Sequence, residues 1–225
     1  MPSRYRIKEY TTGGYYHIYN SGLDNRVVFA DDADYKMFET LLARYLGENT
    51  NIEGPYKNEK PSIIKKRESM SLRGEVKLLA YCLMPDHYHL LIQQKSMEGI
   101  TKLVRRVMTG YGMYYNRKNR RSGPLFENVY RAVSLTCDKQ VLAVGRLIHL
   151  NPSRLEKRRF GLVETVTGTS PADYQYSSFR SYLALNDKDW VTRVYGHMSV
   201  NEYRRYVESP RSEADYEFKD LMIDE

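Results

Sequence analysis

Residues 75–94, EVKLLAYCLMPDHYHLLIQQ, decide how this chain folds. Two apolar stretches of strand length are separated only by Pro85 and Asp86, the pattern of an antiparallel pair closed by a tight link. Successive side chains of a strand face opposite ways, so His87 and His89 stand side by side while Tyr88 points away from both. Both strands are expected at the centre of a sheet. Two neighbouring imidazoles are half of a metal site or two ordinary hydrogen-bonded strand residues, and a third ligand is needed to tell which.

Upstream, GYYHIYN at 14–20 is aromatic and β-branched between glycines and a turn sequence, and reads as the first strand. FADDADYKMFETLLARYLGE at 29–48 supplies aspartates for an N-cap and sets Tyr35, Phe38, Leu41, Leu42 and Tyr45 at helical spacing, with Gly47 as the stop. Downstream, Ile100, Leu103, Val104, Val107, Met108, Tyr111 and Tyr115 mark a second amphipathic helix between Glu98 and Asn116. A strand follows from about Asn128 to Leu135, then a helix that starts near Asp138 and is ended by Pro152.

The order β-α-β-β-α-β followed by a helix gives an α+β fold. It is the ferredoxin-like split βαβ arrangement, with a four- to five-stranded antiparallel sheet and helices on one face. The core domain is expected over 1–152, with a polar insertion at about 48–73, and a C-terminal helical extension with a mobile acidic tail over 153–225.

The chain has 225 residues, with 35 Lys+Arg against 28 Asp+Glu, a formal charge of +7 that favours a polyanionic partner. Of its aromatic residues 21 are Tyr, 6 Phe and 1 Trp, a phenol-rich set suited to half-wet surfaces and to stacking. Two distant cysteines, no leader-like segment and no run near the ~20 apolar residues of a membrane helix point to a cytoplasmic protein with reduced thiols and no membrane partner.

YCLMPDHYHLLI at 81–92 is similar to the histidine, bulky residue, histidine (HUH) motif of single-tyrosine, IS200-like transposases, especially the branch associated with REP palindromes. Four more blocks resemble that family in the same order: 15–42, 111–132, LIHLNPSR at 147–154, and YQYSSFRSYLAL at 174–185. The resemblance implies an HUH endonuclease-like fold acting on single-stranded or hairpin DNA. It also implies a divalent metal, Mg or Mn, held by His87, His89 and Asn151. In that family a tyrosine on the last core helix attacks the scissile phosphate, and its position here is Leu147, which cannot accept a phosphoryl group. Tyr111, Tyr114, Tyr115 and Tyr130 are the candidates to substitute, with packing or DNA stacking as their simpler role. His149 points to a different side of the helix from Leu147 and Asn151 and reads as structural.

Candidate DNA contacts are Arg4 and Arg6 before the first strand, then Arg105, Arg106, Tyr115, Arg117, Lys118, Arg120, Arg121 and Arg131, a basic stretch interleaved with aromatics. Three functions remain open at this stage: a REP-type transposase, a domesticated hairpin-binding protein that has lost cleavage, and a metal-dependent hydrolase in which water attacks. A monomer is expected in preference to a dimer.

Overall fold

The computed structural model describes residues 10–48, 70–127, 129–154 and 170–209. Arg4, Arg6, most of the 48–73 insertion and the acidic tail from 210 lie outside the described residues.

Four strands form one sheet: β1 (Tyr15–Ser21), β2 (Val76–Leu83), β3 (His87–Gln94) and β4 (Arg131–Leu135), in the order β2-β3-β1-β4 with every pairing antiparallel. This is the split βαβ topology, built with four strands among the described residues. The β2–β3 link is as tight as the Pro-Asp pair requires, because Met84 N–H donates to His87 O at 2.8 Å across it.

The expectation that β2 is central is corrected, since β2 is an edge of the sheet. Its continuous apolar run arises because the C-terminal segment covers that edge. Ser178 N–H donates to Tyr81 O (3.0 Å), Leu83 N–H to Tyr176 O (3.0 Å) and Thr192 N–H to Leu78 O (2.8 Å). An edge so covered needs the same burial as an inner strand.

Helix α1 (Asp32–Leu46) starts at Asp31, whose side chain accepts from Asp34 N–H, and stops at Gly47. Helix α2 (Gly99–Lys118) packs beside it over Ile18, Tyr88, Leu90 and Ile92 in the larger core, with Phe38, Leu41, Val104 and Val107. The two helices meet closely at Gly110, where an added Cβ would lie 3.1 Å from Leu41 Cδ2.

Helix α3 (Asp138–Leu150) departs from the one-face expectation, which holds only for the two crossover helices. It lies on the opposite side of the sheet, where Val141, Val144, Leu147 and Ile148 form a second cluster with Leu79, Ala80, Cys82, Met84, Leu91 and Leu135. A β-bulge between Leu78 and Ala80 turns both Leu79 and Ala80 toward this helix. Among the described residues α3 follows β4 and leads into no further strand, so no crossover ties it to the α1–α2 side.

Helices α4 (Phe179–Tyr182) and α5 (Val200–Glu208) close the molecule, with Phe179, Tyr182, Tyr203 and Val207 in the main core. Buried Arg146 reaches the end of α5 through Tyr206 O (2.5 Å) and Ser209 O (2.6 Å), a cation placed at the negative end of a helix.

Candidate metal and DNA site

Alternation along β3 sends Tyr88, Leu90 and Ile92 into the main core and His87, His89 and Leu91 to the α3 side. His87 and His89 lie with ring centres 5.0 Å apart and planes at 80°. At the C-terminal end of α3 the chain tightens into a 3-10 turn beginning at Asn151, whose Nδ2 lies 3.4 Å from His87 Nε2. Strand and helix end therefore bring together His87 and Asn151, with His89 beside them.

Each histidine is also held from behind. Asp86 Oδ1 lies 2.6 Å from His87 Nδ1, and a carboxylate can only accept, so that ring carries its proton on Nδ1 and presents an Nε2 lone pair toward Asn151. His89 Nδ1 faces another imidazole, His17 Nε2, at 2.9 Å. Tyr19 stacks on His17 with ring centres 4.9 Å apart and planes at 19°, and its hydroxyl is buried.

His17, Tyr19 and Asp86 were not among the site residues read from sequence. The available signal was the split βαβ order itself, which makes β1 the neighbour of β3. The register that sets Tyr19 opposite His89 and His17 opposite Leu91 is a property of the folded sheet.

Leu147 lies one helical turn before Asn151, 2 % exposed and packed in the smaller cluster. The four substitute tyrosines belong to the other side of the sheet. Tyr111 and Tyr115 are buried in the main core, Tyr115 donating to Val27 O at 2.8 Å, and Tyr114 and Tyr130 pack against that core. Burial holds the Tyr111 hydroxyl far above the ordinary phenol range.

His149 is fully buried. Tyr203 OH lies 3.0 Å from its Nδ1 and Ser178 Oγ 2.8 Å from its Nε2, and burial lowers its pKa to about 3. Ser178 in turn accepts from Tyr81 N–H at 2.8 Å, so the ring is one link in a chain of hydrogen bonds tying α3 and α5 to β2.

The basic candidates separate by environment. Arg105, Arg117 and Arg120 are exposed on or just after α2. Arg106 donates to Met70 O and lies over the Tyr45 ring. Lys118 is ion-paired with Asp31 (2.7 Å) and Asp34 (2.6 Å). Arg121 donates to Asn116 Oδ1 (2.8 Å) and Pro124 O (2.9 Å), which fastens the loop after α2. Arg131 is exposed and in register with Tyr19, and so in the His89 row of the sheet, its guanidinium 5.7 Å from the Tyr19 ring centre.

Among the described residues no group of three His, Cys, Asp or Glu side chains forms a cation cage. The donor set is two imidazoles and an amide. It fits a divalent ion once the Asn151 amide turns to bring Oδ1 rather than Nδ2 toward His87, and such a neutral set leaves the ion's charge largely uncompensated. No helix among the described residues is long and apolar enough to cross a membrane.

Residues 52–149 match the family model described as transposase IS200 like, a span that includes both histidines and Leu147 and ends two residues before Asn151. A solved REP-associated tyrosine transposase bound to a REP hairpin aligns with 88% of this chain and 96% of its own, at 14% identity and a TM-score of 0.52. At that identity the likeness speaks to the fold. A second solved structure, from Deinococcus radiodurans R1, is 14% identical over 58% of this chain and 85% of its own, and its TM-score of 0.36 carries no argument. Comparison with curated proteins finds no match. With its strand order, its histidine pair and its last core helix in place, the chain is similar over residues 52–149 to the IS200-like transposases and shares the fold of the solved REP-associated enzyme.

Proposed function

We propose that this protein binds hairpin-forming single-stranded DNA of the REP type, holding the backbone beside a divalent cation at His87, His89 and Asn151, and does not cut it by tyrosine transfer. The observation that carries this reading is Leu147. It stands on the helical face that leads to Asn151, buried among apolar side chains, where the family resemblance expects a phenol.

Mg or Mn bound there would polarise a phosphate oxygen. The chain's own residues do the rest. Asp86 fixes the His87 ring, α3 brings in Asn151, and Arg131 offers a guanidinium to a phosphate in the His89 row. Exposed Arg105, Arg117 and Arg120 lengthen the basic track, while the polar contacts of Tyr115, Lys118 and Arg121 favour a supporting role for those three. The solved hairpin complex, which shares this fold, supports a hairpin as the partner.

The test is a labelled hairpin oligonucleotide incubated with the full chain and Mn²⁺, run in parallel on native and denaturing gels. Retarded but intact DNA is the expected result. An adduct that survives denaturation would restore the transposase reading, and two free DNA ends without an adduct would favour attack by water.

A further inference from the structure

We infer that His17 is a positioning residue for the cation site: it accepts the Nδ1 proton of His89 and so turns the His89 Nε2 lone pair toward the site shared with His87 and Asn151. The inference rests on the reading of that site as a cation site and assigns a task to a residue outside it.

A histidine can ligate only through a ring nitrogen that has no proton, and the partner of its other nitrogen decides which one that is. For His87 the choice is made by Asp86 at 2.6 Å, which has no proton to give. At His89 an imidazole stands in that place. His89 Nδ1 faces His17 Nε2 at 2.9 Å, and both residues are fully buried.

An imidazole, unlike a carboxylate, can play either part in such a bond. If His17 accepts, His89 is competent to bind an ion through Nε2. If His17 donates, the proton of His89 sits on Nε2 and the ligand is lost. The tautomer of His17 therefore governs the competence of His89.

The rings are braced for this exchange. His17 and His89 lie nearly parallel, with centres 5.1 Å apart and planes at 19°, and Tyr19 stacks against His17 within the same layer. A neutral acceptor holds the ligand in place without putting negative charge beneath the ion, which keeps the ion's field for a phosphate. The Asp86 carboxylate is bonded to His87.

The tautomer is read in the metal-free full chain by long-range ¹H–¹⁵N correlation of the histidine rings, with the His89 signals identified by their loss in His89→Gln. Wild type is expected to carry the His89 proton on Nδ1. His17→Phe keeps the ring and removes the acceptor, and should move that proton to Nε2 and weaken Mn²⁺ binding, followed by electron paramagnetic resonance, by about 10- to 100-fold. His17→Gln restores an acceptor and should recover both.

A wild-type His89 protonated on Nε2 would overturn the inference, as would a His17→Phe protein in which neither tautomer nor affinity changes. Because the tautomer is measured on wild type without metal, a variant that fails to fold does not block the test. Should wild type carry the Nδ1 proton yet bind no Mn²⁺, the assigned direction of the His17–His89 hydrogen bond stands while the cation reading falls and takes the positioning role with it.

Discussion

The two faces of the sheet are made by the same strands and do different work. Toward α1 and α2, β3 contributes Tyr88, Leu90 and Ile92 to a large aromatic core in which tyrosine hydroxyls are spent on backbone carbonyls such as Val27 O and Leu79 O. Toward α3 it contributes His87, His89 and Leu91 to a smaller cluster bordered by imidazoles and an amide. Period-two alternation gives the aromatic core to one side and the histidine pair to the other. Most of the tyrosines fall on the side of the aromatic core, and that is why none of the four substitute candidates reaches the histidines.

The largest effect expected from breaking this division is on the packed side. Phe38→Ala removes a fully buried ring that meets Phe29, Tyr88 and Tyr111, and should lower unfolding free energy by about 3–5 kcal/mol in urea titrations. The same experiment with saturating Mn²⁺ should show the variant still gaining stability from the ion if enough of it stays folded, because the proposed ligands lie on the other face.

On the histidine side, Leu147→Tyr forces a larger polar side chain into the small cluster and should cost about 1–3 kcal/mol. On the proposed reading it should also gain a denaturation-resistant adduct with a hairpin in Mn²⁺, which wild type should not form. An inert but folded Leu147→Tyr protein would show that the helix does not aim this position at bound DNA.

His149 marks the boundary between the two sides. Its folded-state pKa, about 3, lies below the ordinary value of about 6.5 in the unfolded chain, so the unfolded state takes up the proton first as pH falls. The stability it contributes is complete above pH ~6.5 and is lost progressively toward pH ~3, about 2 kcal/mol of it between pH 7 and 5. Calorimetry of wild type against His149→Gln should show that part of the acid sensitivity disappear in the variant.

The smallest effects belong to exposed charge. Arg131→Ala should leave stability within about 0.5 kcal/mol but reduce the salt dependence of hairpin affinity by about one counterion. Lys118→Ala, whose charge is already shared by Asp31 and Asp34, should change that salt dependence little.

Much of this was written locally in the chain. The β2–β3 hairpin follows from two apolar runs around Pro85-Asp86, and α1 from Asp31 and Gly47, because caps and tight turns are decided by a few adjacent residues. His87 and His89 could be placed on one face by counting, and Asn151 and Leu147 on one side of a helix in the same way. What could not be counted was long-range. The edge position of β2 depends on residues 176–192 covering it, the side taken by α3 depends on the chain's path after β4, and the His17–His89 contact depends on register between strands 72 positions apart. The basic stretch shows the same limit, since Arg105 and Lys118 look alike in sequence and only the fold gives one of them two aspartates.

The central claim is that β3 and the end of α3 together make one cation site. Crystals of the full chain grown with Mn²⁺ and measured at a wavelength where manganese scatters anomalously test it most directly. The account predicts a single strong anomalous peak within bonding distance of His87 Nε2, His89 Nε2 and Asn151 Oδ1. A manganese peak elsewhere, with those three side chains still bonded only to their protein neighbours, would contradict it.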